Sequence, residues 1–94
     1  MNIHWSAEAL SDFAALRAHI ALENPAAVKE VAEHILQAIS LLALYPSVGR
    51  VGRVPQTREL VVTNTPVIIP YRIEEGALYV LRIYHHARCW PEKL

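Results

Sequence analysis

The sequence is poor in residues that build covalent, metal or phosphate-binding frameworks. It has one cysteine, Cys89, among 94 residues, so no internal disulfide can form and no oxidising compartment is needed. His85, His86 and Cys89 lack the second ligand pair that structural zinc sites use, and no metal is expected. Only three glycines are present, and none forms a Gly-rich phosphate loop. No Ser/His/Asp triad or paired-carboxylate signature appears either, and no cofactor is expected. The opening residues, MNIHWSAEAL, have no basic segment followed by an apolar one, as a secretory leader would. No apolar run is long enough to span a bilayer, so the expected location is the cytoplasm, with no membrane partner. The formal net charge is zero, which removes any global argument for nucleic acid or an anionic membrane surface.

What remains fits one domain, residues 1–94, long enough to bury roughly two-thirds of its unfolded surface around a single core. The charges are split by position. Residues 1–45 hold two cations against five carboxylates, and residues 46–94 hold seven cations against four. Six of those seven are Arg, the side chain suited to bidentate recognition of phosphate or carboxylate.

Asn2 to Trp5 reads as a short strand, and Ser6 as the N-cap of a helix running to about Glu23, with Glu8 in its first turn. Leu10, Phe13, Leu16 and Ile20 recur there at helical spacing. Asn24-Pro25 ends this helix and starts a second, with Asn24 as cap and the helix running from Pro25 to Leu44. Its stripe is Val28, Val31, Ile35, Ala38, Ile39 and Leu42. So short a connection makes the two a hairpin, which must bury its stripes on one face of a sheet. Tyr45 to Thr57, with two Gly, two Pro and a repeated V-G-R, reads as a loop that is either a solvated connector or a surface where Arg50 and Arg53 contact an anion. Strands are expected at Arg58 to Val62, Val67 to Glu74 and Leu78 to Tyr84. Turns fall at Asn64-Thr65-Pro66 and Glu75-Gly76. Pro70 removes a ladder donor and marks an edge or a bulge. The fold class is therefore α+β in the order β-α-α-β-β-β, a helical hairpin on a small, mainly antiparallel sheet.

The stretch Leu78 to Pro91 carries the most chemistry. Its first seven residues read as a central strand covered on both faces, broken by Arg82 alone. It then delivers His85, His86, Arg88, Cys89 and Trp90 to one end of the sheet. Arg, His and Tyr gathered after residue 46 fit two chemistries. In a metal-free ribonuclease a His or Glu would be the base on a ribose 2′-hydroxyl and Arg would hold the phosphate. In a protein-binding surface, Arg, Tyr and Trp would be the anchors. His85 and His86 face opposite ways if the strand runs through them, so only one belongs to a given site. His4, His19 and His34 read as surface or packing residues.

The motifs W-S-x-x-A, E-N-P, Y-P-S-V-G-R, T-R-E-L, P-V-I-I-P-Y-R-I and L-R-I-Y-H-H-A-R-x-W-P, in this order, resemble the RelE/ParE superfamily of bacterial toxins. The resemblance covers almost the whole chain. It implies the toxin half of a type II toxin-antitoxin module, neutralised by a ParD-like antitoxin whose extended, partly helical tail covers the toxin's helices and sheet. The antitoxin-facing residues are then expected at Leu10, Phe13, Ile20, Val31, Ile35 and Leu42 and along a free sheet edge. Operator DNA would be met only through the antitoxin. RelE-like members cut messenger RNA on the ribosome, and ParE-like members poison DNA gyrase. RelE-like nucleases generally show an Arg three residues before the Tyr of the penultimate strand, and a terminal His-Tyr or Arg-Tyr pair. Here Ile68 stands three before Tyr71, and His86-Ala87 follows His85. The pattern is closer to the ParE branch. Target contact is then expected from Arg50, Arg53, Arg58, Arg72, Arg82, His85, His86, Arg88 and Trp90. The alternatives are a ribosome-dependent nuclease with His85, His86, Arg82, Arg58 and Glu59 as catalytic candidates, or a degenerate member that only binds an antitoxin.

Overall fold

The computed structural model describes residues 1–85; His86, Arg88, Cys89 and Trp90 lie outside the described residues. Strand β1 (Asn2–Trp5) leads into helix α1 (Ala7–Glu23), a 3-10 turn (Pro25–Ala27) and helix α2 (Val28–Leu44). Strands β2 (Arg50–Val51), β3 (Arg58–Val62), β4 (Val67–Glu74), β5 (Ala77–Val80) and β6 (Tyr84–His85) follow. They form one sheet in the order β1-β5-β4-β3-β2, with β6 also beside β4. All pairs are antiparallel except β1 with β5. The class is α+β, as the pattern predicts.

Alternation along the strands decides where the helices pack. Val62 faces Val67, Tyr71 faces Val80 and Ile73 faces Leu78 across the ladders, so these residues share one face of the sheet. That face meets Ala9 and Leu16 of α1 and Ile35, Ile39 and Leu42 of α2 in a single core cluster. In α1 the inward row is Ala9, Phe13, Leu16 and Ile20, at spacings of four, three and four. Ala9 is fully buried, while Leu10 is 57% exposed. The small residue lies against the sheet, and the large one expected in its place faces outward. Ser6 caps α1 as expected: its Oγ accepts from the Ala9 N–H at 2.9 Å. Asn24 does not cap α2 with its side chain. Its backbone N–H instead closes α1 on the Ile20 carbonyl at 2.7 Å, and three residues of 3-10 turn precede α2.

Two other expectations about the sheet are corrected. Residues 45–57 are not all loop, because Arg50 and Val51 pair with Glu59 and Arg58. The final strand is neither continuous nor covered on both faces. Leu78 and Val80 are buried while Ala77 and Tyr79 are half-buried, and Leu81–Ile83 leave the ladder. Tyr71 faces Val80 but Ile68 faces Tyr84, so two residues of β4 stand opposite three, which is a bulge. Pro70 explains its place. Its carbonyl accepts from the Leu81 N–H at 3.0 Å. A residue's N–H and C=O point to the same side of a strand, so the donor that Pro70 lacks is missing on the bulged side. β4 itself lies inside the sheet, between β5 and β3, so the edge reading of Pro70 fails and the bulge reading holds.

Candidate functional site

Among the described residues the guanidiniums of Arg50, Arg58, Arg72 and Arg82 are each turned onto the chain itself. Glu59, 2% exposed, is the first anchor. Arg50 Nε and Nη2 donate to its Oε1 at 3.2 and 3.0 Å, and the Arg53 N–H donates to its Oε2 at 2.9 Å. The repeated V-G-R motif is therefore a wrap around one buried carboxylate. Gly52 makes the wrap possible, since a Cβ there would collide with Thr57. With three donors on its two oxygens and almost no exposure, Glu59 is a structural acceptor. A substrate hydroxyl has little access to it, although it is one of the nuclease candidates.

Tyr71 is the second anchor, and the sequence reading assigned it no role. Its fully buried hydroxyl donates to the Pro46 carbonyl at 2.7 Å and accepts from the Gly49 N–H at 2.9 Å. A Cβ on Gly49 would lie 2.5 Å from that oxygen, so only glycine fits. Burial pushes the phenol above its ordinary pKa of 10.0, an effect that the Gly49 N–H and the Arg58 charge partly offset. Arg58 donates from Nη1 to the carbonyls of Gly49 and Ser47 at 2.8 and 3.3 Å. The turn after α2 is thus fastened to β3 and β4 by a phenol and a guanidinium.

Asp12 is the third anchor and was likewise missed. Its carboxylate receives Arg82 Nε and Nη2 at 2.7 and 3.0 Å and the Ile83 N–H at 3.1 Å. This hydrogen bonding raises the Arg82 pKa above its usual value against the opposing effect of burial. The guanidinium also lies 4.8 Å over the Tyr84 ring. The Tyr84 phenol is pushed up by burial, and Arg82 opposes that shift. Arg82 also borders a cleft of about 320 Å³ with Arg72, Ser6, Glu8 and residues 54–57. Gln56 in that cleft holds φ 66°, a left-handed conformation uncommon for a side chain of this kind. Arg72 lies on the sheet face opposite the helices, 5.2 Å over the Tyr79 ring and 3.0 Å from Glu74 Oε2. Tyr79 in turn stacks on His4 at 5.1 Å.

His85, at the end of β6, sets its ring edge-on to His19 at 6.3 Å, and His19 Nε2 is 3.6 Å from Glu23 Oε1. Arg72 shares one cleft with Arg82 and another with Arg58, but the described nuclease candidates do not meet in one site. Glu59 with Arg50, Arg58 with the 47–49 turn, Arg82 with Asp12, and His85 with His19 are separate local arrangements. Among the described residues no three His, Cys, Asp or Glu side chains come together as metal ligands would. No helix there is long and apolar enough to cross a membrane.

A second surface is apolar. From residue 34 to 49 the chain has no Asp, Glu, Lys or Arg. On the outside of this stretch Leu41, Leu44, Tyr45 and Val48 are each more than half exposed. Leu41, Tyr45 and Val48 line a groove of about 350 Å³ against Leu60, Val61 and Val62. Beside it, β2 covers only Arg58 and Glu59, which leaves Leu60–Val62, paired with β4 on one side, without a strand partner on the other among the described residues. The expected partner-facing residues divide here. Ile35 and Leu42 are fully buried and Phe13, Ile20 and Val31 pack on the core, so they hold the hairpin to the sheet; Leu10 alone is a substantially exposed surface residue. The signal that would have found the groove is the uncharged run itself: a helix apolar beyond the stripe it buries has a second face to cover.

The two-helix layer on a mixed sheet has a solved counterpart. The solved structure described as a chromosomal ParDE TA system from P. aeruginosa superposes with a TM-score of 0.82, covering 90% of this chain and 95% of that one at 24% identity. The family model described as "ParE toxin of type II toxin-antitoxin system, parDE" matches residues 3–90. Y4kP of Sinorhizobium fredii, a candidate toxin by its name, is 39% identical over 93 residues, covering 99% of this chain and 96% of that protein. Toxin RelE2 of Caulobacter vibrioides is 37% identical over 87 residues, covering 93% and 97%. The chain belongs to the ParE toxin family and is a type II toxin of the ParE/RelE superfamily. Such a toxin implies a cognate antitoxin.

Proposed function

We propose that this toxin acts on a protein, DNA gyrase, and is neutralised by a ParD-like antitoxin. The observation that carries the choice of target is the charge balance at the Arg-rich end. Arg50 faces Glu59, Arg72 faces Glu74, and Arg82 faces Asp12. Affinity for a nucleic-acid backbone comes from cations free to replace its counterions. Guanidiniums already paired, in a chain of zero net charge, supply little of that. Paired and stacked Arg beside Tyr and His suits a protein interface instead. The name of the Caulobacter relative, RelE2, favours the other reading, a ribosome-dependent nuclease. The burial of Glu59 weighs against it.

For the antitoxin, the fitting surface is the groove of Leu41, Tyr45, Val48 and Val61 with the Leu60–Val62 edge, which offers main-chain pairing and apolar pockets together. The test is a supercoiling assay on purified gyrase with the antitoxin-free chain, with the cognate antitoxin added as reversal. Reversible inhibition supports the gyrase reading. Messenger RNA cleavage on ribosomes by a chain that leaves gyrase active would overturn it.

A further inference from the structure

The passage from β5 to β6 is held from outside the sheet. At the bulge, Leu81–Ile83 have no regular ladder, and residues at the start of α1 take over their backbone groups. The Ser6 N–H donates to the Val80 carbonyl at 3.0 Å and Ser6 Oγ to the Leu81 carbonyl at 2.7 Å. Asp12 accepts the Ile83 N–H at 3.1 Å while its two oxygens grip Arg82. The Asp12 side chain is 14% exposed and that of Arg82 27%. Turning Arg82 away would leave a largely buried carboxylate with one weak donor, which is costly.

This grip is placed where register is least secure. A bulge is one residue in excess, and a shift by one residue reverses which face each following side chain occupies. In the observed register His85 faces Val67, on the helix side, and Tyr84 faces Ile68, on the other. That is why the His85 ring meets His19 of α1. Moving the excess residue past Tyr84 would turn His85 to the open face and Tyr84 towards the helices. Asp12 binds the backbone of one bulge residue and the side chain of its neighbour at once, a combination that only one register satisfies.

We infer that Asp12 is a positioning residue: its carboxylate fixes the register in which β6 meets β4 and so the face on which His85 is presented. His85 lies beside Val67 at the start of β4, away from Arg72 and Glu74, so a consequence for toxicity follows only in combination with a use of His85 itself in target contact, which rests on the proposed function.

The test uses the full chain with Asp12→Asn, Arg82→Gln and the double variant. Residue-resolved hydrogen exchange and the through-space contact between the His19 and His85 rings are measured, and growth arrest is scored in parallel. The expected result is at least about tenfold faster exchange at Ile83, Tyr84 and His85, with less than about twofold change at Leu60–Val62. The ring contact should be lost, and the double variant should be no worse than either single, as for one shared interaction. Asp12→Glu, which keeps the charge, should give a smaller change, and it serves as the readout if Asp12→Asn does not fold. Uniform acceleration along all strands, or an intact ring contact in every variant, would overturn the inference. Local loosening with undiminished growth arrest would leave the positioning role standing and remove His85 from target contact.

Discussion

The Arg-rich end of the sheet and the outer side of α2 are both exposed, and they are exposed in opposite ways. At the sheet end the charged groups have internal partners: Arg50 on Glu59, Arg58 on two carbonyls, and Arg82 on Asp12. Along the end of α2 and the turn after it, Leu41, Tyr45 and Val48 have apolar area that no described residue covers, beside a strand edge with no ladder partner on its outer side among the described residues. The difference teaches that a cluster of cations in a sequence is not a cluster of available cations in a fold. A guanidinium that folds against a carboxylate is part of the scaffold, whereas an apolar side chain left outside a filled core is available to a partner.

Breaking the scaffold side of this comparison should have the largest effects. Glu59→Ala removes the acceptor for Arg50 and for the Arg53 N–H, and should cost about 3 kcal/mol. Thermal unfolding would then fall by more than about 10 °C; a shift under about 2 °C would mean that the buried carboxylate is not an anchor. Tyr71→Phe leaves the Gly49 N–H and the Pro46 carbonyl without the phenol and should cost about 2 kcal/mol in urea denaturation. The same phenol gives a pH signature. Its pKa is raised in the folded state, so the folded chain holds its proton more tightly than the unfolded chain does. The corresponding stability is intact below pH 10 and is lost as pH rises from 10 towards the folded value. Alkaline unfolding of Tyr71→Phe should therefore show a weaker dependence above pH 10 than that of the parent.

The other side should respond in binding and not in folding. Val61→Glu, on a residue 49% exposed, should leave stability within about 0.5 kcal/mol and weaken the antitoxin complex at least about tenfold in calorimetry. Unchanged affinity would remove the groove from the antitoxin interface. The smallest effect is expected at Arg72, whose pair with Glu74 has side chains 45% and 55% exposed. Arg72→Ala should change stability by less than about 0.5 kcal/mol. A fall in growth arrest at equal stability would make it the exception among these arginines, a cation held for a target.

Much of the fold is legible in the residues. The two helices, the hairpin at Glu75-Gly76 and the strands from Arg58 to Glu74 follow from spacing and turn chemistry, which are local properties. The exchange of Leu10 for Ala9 on the inner face of α1 was not legible, because hydrophobicity ranks leucine first and only the close approach of helix to sheet selects alanine. Nor was the short strand at Arg50–Val51, whose ladder is made with residues nine and seven positions on and leaves no period in the sequence. The site was less legible still. Arg82 stands out as the one charge in an apolar strand, but its partner Asp12 is 70 residues away on another element.

By itself the sequence determined that this is a single α+β chain with a helical hairpin, that it needs no disulfide, and that cations gather in its second half. Periodicity, turn residues and composition are set residue by residue, and no neighbour in space is needed to read them. The tertiary structure alone decided which of those charges are neutralised, where the last strand shifts register, and which apolar side chains stay outside. Each of these depends on which distant groups are brought within about 3 Å, the reach of a hydrogen bond. Asp12 with Arg82, Glu59 with Arg50 and Tyr71 with Gly49 are meetings that only the closed sheet arranges.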